Sequence, residues 1–517
     1  MSGKNETEKV LLRITNLKQY FPLKKQHIRQ EQLYVRANDG ITLDIYEGET
    51  FGLVGESGCG KSTFGRVILQ LYHQTEGRTV YYGETIQSFL PHYVKNTYDH
   101  LEKCRRDVKK QEMLRNRLQK AGEDLKGRDL EKYVAADKKY REMFEDLVRL
   151  IGGFYTIKEL RPVSEILNAQ YSAGAEIEKL RTKYNRIRLS GNKAKAIAKE
   201  KKRELSHRRK KKIAKWEQRL ARIQKSIDLQ TERQKSWSQK LEDLRHTYDS
   251  EPEFQQYEAY LDNGVDLGRL SYNEMRRMRK EMQLIFQDPY SSLNPRMTAG
   301  QIISEGLITH GFYKRGDPEI QANVKKVMED CGLPSYMIYR YPHQFSGGQR
   351  QRIGIARSLA IKPKFIVCDE AVSALDVSIQ SQIVNLLKDL KQKEKLTYLF
   401  ISHDLSVVKY ISDRIGVMYL GNLVELADTE MIFHHPLHPY TEALLLAIPT
   451  TDPGQRKTLM TLEGDIPSPI HPPEGCKFHT RCKYCTEICK KQKPEFREVE
   501  KNHFVACHHL LDHPVKL

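Results

Sequence analysis

The chain has 517 residues, a formal net charge of +19 and 30% charged residues. This length allows about two to four domains, and no window approaches the roughly 18 continuous apolar residues of a membrane-spanning helix. The N-terminus also lacks the apolar stretch of a signal peptide, so we expect a protein made and kept in the cytoplasm. If the protein acts at a membrane, partner proteins or its surface charge would have to hold it there.

A glycine-rich loop follows a short apolar run that is typical of a buried strand. Residues 55–62 read GESGCGKS and fit G-x-x-x-x-G-K-[ST] in full, with a helix predicted after them. In such a loop, backbone N–H groups and the helix N-terminus surround phosphate oxygens. Lys61 would reach the β- and γ-phosphates, and Ser62 would bind Mg²⁺. The predicted nucleotide-binding residues of this loop are Gly55, Glu56, Ser57, Gly58, Cys59, Gly60, Lys61, Ser62 and Thr63.

The segment between Phe89 and Gly268 reads as long helices and carries 42 Lys and Arg against 29 Asp and Glu. From residue 213 to residue 248, eleven positions recur at alternating spacings of three and four. Nine of them are apolar, which predicts a coiled-coil seam. The seam positions are Ile213, Trp216, Leu220, Ile223, Ile227, Gln230, Gln234, Trp237, Leu241, Leu244 and Tyr248. An earlier helical face, from Tyr140 to Ile151, suggests an antiparallel hairpin with a globular or irregular tip around Phe154–Gly174.

Arg208–Lys212 are five consecutive basic residues just before the seam becomes regular. A seam needs apolar residues only every 3.5 positions, so these charges can form a solvated face. Anionic lipid, a partner subunit or regulator, and a nucleic acid are the open alternatives. Few aromatics are interleaved with the basic residues, so base stacking is poorly provided for and we expect no nucleic-acid partner.

A second apolar strand is predicted within KFIVCDEAVSALD, and it ends at Asp369 and Glu370. Asp369 would hold Mg²⁺ through water, and Glu370 would orient the attacking water. Phosphoryl transfer to water needs mainly this positioning and charge neutralisation. Together with the glycine loop, the strand predicts an ATPase.

The stretch YPHQFSGGQRQRIGIARSLA resembles the signature of ATP-binding-cassette (ABC) ATPases through Ser346, Gly347, Gly348 and Gln349. The resemblance implies an α/β fold: an ABC-type P-loop ATPase core with an antiparallel β subdomain and a helical signature subdomain. It also implies a dimer, because the signature in that family faces the γ-phosphate bound by the opposite subunit.

The resemblance assigns roles to further residues. Gln287, in LIFQDPYSSLNPRMT, matches the loop that senses Mg²⁺ and touches the transporter partner. Asp376 matches the dimer contact, and His403 matches the switch histidine near the γ-phosphate. Tyr20 is expected to stack on adenine, with Phe21 as the alternative. The implied catalytic residues are thus Glu370, His403 and Gln287, and the implied Mg²⁺ ligands are Ser62, Gln287 and Asp369.

The C-terminal side is similar to ATPase subunits of oligopeptide and dipeptide importers, through HHPLHPYTEALLLAIP, LEGDIPSP and PPEGCKFHTRC. A cysteine cluster in a reducing cytoplasm favours a metal site over disulfides. The resemblance implies a [4Fe–4S] cluster, with Zn²⁺ as the alternative. The implied ligands are Cys476, Cys482, Cys489 and Cys507. Cys485 is an extra thiol, and His503 and His508 are nearby substitutes.

We therefore expect an ATPase domain over residues 1–88 and 267–445, an inserted α-helical coiled-coil arm over 89–266, and a small Cys-rich extension over 446–517. The resemblance implies an ATP-hydrolysing subunit that powers peptide import from the cytoplasmic face of the cell membrane, as a peripheral protein. Its implied partners are a second ATPase subunit, in a heterodimer or a homodimer, and two transmembrane permeases. An extracellular substrate-binding protein would act indirectly, and the arm could contact anionic lipid.

Three alternative functions use related cassettes. Chromosome-structuring and DNA-repair ATPases also carry an inserted coiled coil, but theirs follows the Gln loop, whereas this insertion precedes Gln287. Ribosome-acting proteins of the family carry two cassettes per chain, and this chain has one glycine loop. Importers of nickel or other small solutes share much of the pattern and stay open as an alternative.

Overall fold

The computed structural model describes residues 9–25, 27, 31–120, 128–200, 207–448 and 464–512. The chain divides into two compact units. The first comprises Met1–Gly83, Asp266–Gly268 and Tyr272–Leu517, and the second comprises Glu84–Val265 and Arg269–Ser271. Residues 1–8 of the expected ATPase domain and 449–463 of the expected extension lie outside the described residues.

The described residues form twelve strands. In chain order they are β1 (Val10–Pro22), β2 (Tyr34–Tyr46), β3 (Thr50–Val54), β4 (Glu76–Thr85), β5 (Gly264–Asp266), β6 (Met282–Ile285), β7 (Phe365–Asp369), β8 (Thr397–Ile401), β9 (Arg414–Tyr419), β10 (Asn422–Asp428), β11 (Arg497–Glu500) and β12 (His503–Val505).

Seventeen α-helices are also described. They are α1 (Lys61–Ile68), α2 (Ile86–Phe89), α3 (His92–Asp99), α4 (Leu101–Lys120), α5 (Arg128–Ile151), α6 (Arg161–Glu200), α7 (His207–His246), α8 (Pro252–Glu258), α9 (Tyr272–Met278), α10 (Ala299–Thr309), α11 (Pro318–Asp330), α12 (Gly347–Leu359), α13 (Val377–Glu394), α14 (Leu405–Ile411), α15 (Thr429–His434), α16 (Pro439–Leu446) and α17 (Glu487–Lys491). None of these helices combines the length and apolar composition needed to cross a membrane.

An eight-stranded sheet in the order β11-β12-β10-β9-β3-β8-β7-β6 forms the centre of the first unit. Strands β6, β7, β8, β3 and β9 run parallel to one another, whereas β10 pairs antiparallel with β9. Strands β3, β7 and β8 are buried at every residue, as expected for a parallel sheet that is covered on both faces. Their carboxyl ends therefore meet at one edge, where ligands bind in open α/β sheets.

A smaller sheet has the order β2-β1-β4-β5, and β1 pairs antiparallel with both β2 and β4. A helical region of the first unit contains α10, α11 and α12, whose apolar residues, including Ile303, Met328 and Ile353, share the main core. Ser346 caps α12, because its hydroxyl accepts a hydrogen bond from the backbone N–H of Gln349. In turn, the side-chain oxygen of Gln349 accepts from the backbone N–H of Ser346.

The second unit has its own core, in which Leu147, Ile151, Phe154 and Phe254 are buried. The prediction of a globular or irregular tip around Phe154–Gly174 is wrong. Phe154 is fully buried and packs edge-on against Phe254 at 5.6 Å between ring centroids. Helix α6 begins at residue 161 and runs straight through Gly174.

Helices α6 and α7 each have 40 residues, or about 60 Å. They run antiparallel: Gln170 bonds Ser238, and further along α6 the Ile187 carbonyl accepts from Trp216. All eleven seam positions of α7 and its following turn are buried or half-buried. Lys211 and Lys212 are exposed, whereas the side chains of residues 208–210 lie outside the described residues.

Candidate functional site

The glycine loop lies between β3 and α1 and surrounds one lysine side chain. Lys61 is buried, and its Nζ donates to the carbonyl oxygens of Gly55 at 2.7 Å and Glu56 at 2.9 Å. Ser57 and Gly58 are exposed at the crest of the loop. The loop thus presents backbone N–H groups, a helix N-terminus and one ammonium group, which is the set of donors that a triphosphate requires.

Gly60 closes this loop and cannot be replaced by a larger residue. Its φ is 102°, and a Cβ at this position would lie 2.0 Å from the carbonyl oxygen of Ala37. Asn38 donates its amide to the Gly60 carbonyl at 3.2 Å. The residues just before β2's midpoint therefore fix the loop from the outside.

Asp369 ends β7 beside the loop-bearing helix. Its Oδ2 accepts from Arg66 of α1 at 3.2 Å, and the side chain is 1% exposed. Within the described residues, its Oδ1 is buried without a hydrogen-bond partner. A buried carboxylate oxygen without a protein donor suits an Mg²⁺-bound water, because oxygen is the donor that Mg²⁺ prefers.

Glu370 stands between the other two predicted catalytic side chains. Gln287 donates its amide to Glu370 Oε2 at 2.7 Å, and His403 Nδ1 lies 3.6 Å from Glu370 Oε1. Glu370 has a φ of 48°, a left-handed backbone conformation that is uncommon for a residue other than glycine. The ends of β6, β7 and β8 thus bring one amide, one carboxylate and one imidazole to a single point.

Ser346, Gly347 and Asp376 are accessible at the surface of the first unit. Ser346 and Asp376 are exposed, and Gly347 is half-buried. Gly348 is buried, and a Cβ there would lie 2.5 Å from Ile379 Cγ2, so the position has no room for a side chain. An exposed helix N-terminus with two glycines can approach a phosphate held by another molecule.

Tyr20 is held by its polar end. Its hydroxyl donates to Asp39, and burial together with this bond raises the pKa of Tyr20. Phe21 packs edge-on against Tyr72 at 5.4 Å between ring centroids. Neither contact decides which ring stacks on adenine, so the choice of Tyr20 stays a prediction.

The four cysteines assigned to a metal line one small cavity, which also contains Phe478 and His508 in its wall. The predicted ligands in this wall are Cys476, Cys482, Cys489 and Cys507. Cys485 is not part of the wall. His503 is also elsewhere, because it is fully buried against Glu425 at 2.8 Å.

The cysteine cavity has the donor set for a metal but not a finished coordination geometry. Over the described part of the chain, no three His, Cys, Asp or Glu side chains are arranged to hold a metal ion. Burial raises the pKa of Cys476 to about 11 and that of Cys507 to about 12. Cys476 and Cys507 would therefore need a nearby cation to become thiolates. Four sulfurs around one cavity are a donor set for either a [4Fe–4S] cluster or Zn²⁺.

Sequence reasoning missed the residues that fix the glycine loop from the C-terminal side. Arg481 forms a two-pronged ion pair with Glu56, at 2.7 and 3.1 Å. Tyr440 accepts a hydrogen bond from the Glu56 backbone N–H at 2.9 Å. No local motif signals these contacts, because the partners are about 400 residues apart in the chain; Arg66 was missed for the same reason.

Comparisons with protein families agree with this geometry. The family model described as ABC transporter matches residues 38–216 and 250–373. The model described as the C-terminal region of oligopeptide/dipeptide transporters matches residues 424–489. The first match spans more than half of the chain and includes the glycine loop, Gln287 and Glu370.

Curated relatives are similar over the same region. The chain is 51% identical over 251 residues to the oligopeptide transport ATP-binding protein AppF of Bacillus subtilis, covering 48% of this chain and 76% of that protein. It is 52% identical over 246 residues to the oligopeptide transport ATP-binding protein OppF of Haemophilus influenzae, covering 47% of this chain and 74% of that protein.

Proposed function

This chain belongs to the ABC transporter ATPase family, and we propose that it is the ATP-hydrolysing subunit of an importer of oligopeptides or dipeptides. The proposed ATPase activity rests on the close approach of the Gln287, Glu370 and His403 side chains at the strand ends next to the glycine loop. The observation that carries the substrate class is the match of residues 424–489 to the C-terminal region of peptide transporters.

The residues of the site divide the work of hydrolysis. Lys61 and the loop N–H groups would bind the phosphates, and Glu370 would accept a proton from the attacking water. Gln287 would orient Glu370, and His403 would stabilise the charge near the γ-phosphate. When bound, Mg²⁺ would neutralise charge on the β- and γ-phosphates. Its proposed ligands are Ser62, Gln287 and, through water, Asp369.

A second ATPase subunit completes each site in this proposal. The exposed Ser346 and the accessible Gly347 would face ATP that is bound by the other subunit, and Asp376 would lie at the dimer contact. We propose a heterodimer, with a homodimer as the alternative. Two permease subunits would hold the pair at the cytoplasmic face of the membrane, and an extracellular binding protein would deliver the peptide.

Purification of the tagged chain from its native membranes tests this assembly. The purified complex should contain a second ATPase and two permeases. In proteoliposomes, the complex should take up labelled peptide only when ATP is present on the side of the membrane that carries the ATPase subunits. Uptake of Ni²⁺ without peptide uptake would replace the proposed substrate class, and recovery of DNA-bound proteins instead of permeases would overturn the function.

We further propose that the cysteine cavity holds a [4Fe–4S] cluster, with Zn²⁺ as the alternative, through Cys476, Cys482, Cys489 and Cys507. Their shared cavity supports this ligand set, and the exclusion of Cys485 from the cavity wall supports four ligands rather than five. The metal would tie together a segment that has short strands and little core of its own.

Helices α6 and α7 are proposed to form an antiparallel coiled-coil arm that contacts anionic lipid. Residues 181–222 carry 18 Lys and Arg against three Asp and Glu. Tyr184 packs between the helices, and Trp216 donates to the Ile187 carbonyl, so the aromatic residues of this region are not presented for base stacking. Each basic residue near an anionic leaflet contributes about 1 kcal/mol.

A further inference from the structure

The loop bounded by Cys476 and Cys482 makes two charged contacts with the nucleotide-binding region. From this loop, Lys477 donates to Asp39 at 2.9 Å and to the Leu420 carbonyl at 2.8 Å. Asp39 in turn accepts from the Tyr20 hydroxyl. At the other end of the same loop, Arg481 pairs with Glu56. The two contacts therefore reach both predicted parts of the nucleotide site.

Three groups of Glu56 are engaged at once. Its backbone N–H donates to Tyr440, its carbonyl accepts from Lys61, and its carboxylate pairs with Arg481. The Arg481 side chain is only 4% exposed, so its two bonds to Glu56 are shielded from water. Glu56 is thus held through both its backbone and its carboxylate at the start of the phosphate loop.

Phe478 connects this loop with the residues behind the glycine loop. Its ring lies 5.3 Å from the ring of Tyr440 and 5.2 Å from that of Tyr419, measured between centroids. Phe478 also forms part of the cysteine cavity wall. An aromatic cluster therefore links the wall of the cysteine cavity to Tyr440, which contacts the backbone of Glu56.

We propose that Arg481 is a positioning residue for ATP: it neutralises Glu56 and holds the phosphate loop open to a triphosphate. The proposal rests on the proposed ATPase function. Without Arg481, the Glu56 carboxylate would stand uncompensated beside the phosphates and repel them. The effect should appear in ATP affinity, whereas a merely structural role would lower the amount of active protein without changing the affinity of the remainder.

The test is a double-substitution cycle on the full chain, with ATP binding measured by isothermal titration calorimetry. We expect Arg481→Met to weaken ATP binding about tenfold relative to the unmodified chain, and the affinity of Glu56→Gln is measured as the reference for the double variant. The double variant should bind within threefold of Glu56→Gln, because removing the carboxylate removes the repulsion. Arg497→Met, at an exposed position of the same C-terminal segment, is the matched control.

Each result has one meaning. If Arg481→Met binds ATP as the unmodified chain does, or if the double variant is as weak as Arg481→Met, the proposal is wrong. If Arg481→Met does not fold, Arg481→Lys keeps the charge and should lose only part of the affinity; unchanged affinity in that variant contradicts the need for a two-pronged pair. If the unmodified chain itself does not bind ATP, the ATPase function fails as well.

Discussion

The Gln287 amide donates to Glu370 Oε2 at 2.7 Å, which joins the loop after β6 to the carboxylate after β7. In the proposed function, the first of these loops contacts the permease and the second activates water. A displacement of Gln287 would therefore move the hydrogen-bonding partner of the general base. Transport and hydrolysis would be coupled through one hydrogen bond.

Glu370→Gln should leave ATP binding intact and lower hydrolysis by at least about a hundredfold, because an amide cannot accept the proton of the attacking water. Phosphate release by the assembled transporter measures the turnover, and ATP retention on the purified complex measures binding. Glu394→Gln, at an exposed position at the end of α13, is the control and should behave as the unmodified protein. Undiminished turnover in the Glu370 variant would contradict the assignment.

Asp369→Asn should weaken the binding of Mg²⁺-ATP by tenfold or more while leaving metal-free ATP binding unchanged or slightly tighter. The substitution removes a buried negative charge that would attract the cation and repel the nucleotide. Calorimetric titrations with Mg²⁺ and with a chelator separate the two effects. Asp389→Asn, on the exposed face of α13, controls for the loss of a carboxylate, and equal weakening in both titrations would argue against an Mg²⁺ role.

Cys476→Ser should lower the metal content of the purified protein to less than half, whereas Cys485→Ser should leave it within error. The reason is that Cys476 lines the cavity and Cys485 does not. Iron and zinc analysis, with an absorbance spectrum recorded after anaerobic purification, provides the readout. Equal metal loss in both variants would show that the ligand set is wrong, and a metal-free unmodified protein would remove the metal site altogether.

Replacing Lys211 and Lys212 by Gln should weaken binding to vesicles with 30% phosphatidylserine at least fivefold, since each exposed charge contributes up to about 1 kcal/mol. Replacing Lys325 and Lys326, two exposed neighbours on α11, removes the same charge and should have little effect. Vesicle flotation at low and high salt gives the affinities. Binding of double-stranded RNA that exceeds vesicle binding would identify a nucleic acid as the partner of the arm instead.

Lys477→Met should lower the free energy of unfolding more at neutral pH than at pH 2. Burial would raise the pKa of Asp39, but the charge of Lys477 and the Tyr20 hydrogen bond outweigh it and hold the value at about 2. A lowered carboxyl pKa contributes stability that is present above pH 3.8 and is lost as the pH falls through 2. The contribution is about 1 kcal/mol after solvent screening is allowed for. Urea unfolding of the unmodified protein and the variant should show a smaller difference in unfolding free energy at pH 2 than at pH 6. An equal difference at both pH values would mean that Lys477 acts by packing alone.

Several parts of the molecule could be predicted because their signals are local. The apolar runs before Gly55, Asp369 and His403 indicate strands, and parallel strands place the residues that follow them at one edge. The resemblance to ATPases of peptide importers is confirmed by the two family matches. The α7 positions chosen from a spacing of three and four are the less exposed ones, because that spacing marks the inner face of a helix pair.

Other parts could not be predicted because they depend on packing between distant residues. A globular or irregular tip was expected around Phe154–Gly174, yet the preceding Gly153 lies against the Phe254 ring, where a Cβ would be 2.6 Å from its carbons. Small residues there serve a close approach rather than a chain reversal. The contacts of Arg481 and Tyr440 could not be predicted for a similar reason. A single charged or hydroxyl-bearing residue belongs to no periodic pattern or local motif that would indicate its partner.

The distance along the chain between Glu56 and Arg481 also has a consequence for synthesis. The two residues are 425 positions apart. A ribosome that adds 5–20 residues per second needs roughly 20 to 85 seconds to proceed from one to the other. During that interval the nascent chain carries Lys61 without the arginine that neutralises its neighbour. A chain terminated between His403 and Arg481 would thus contain every nucleotide motif and still lack this ion pair. In this proposal, synthesis of the last tenth of the polypeptide would complete a loop that was made near the beginning.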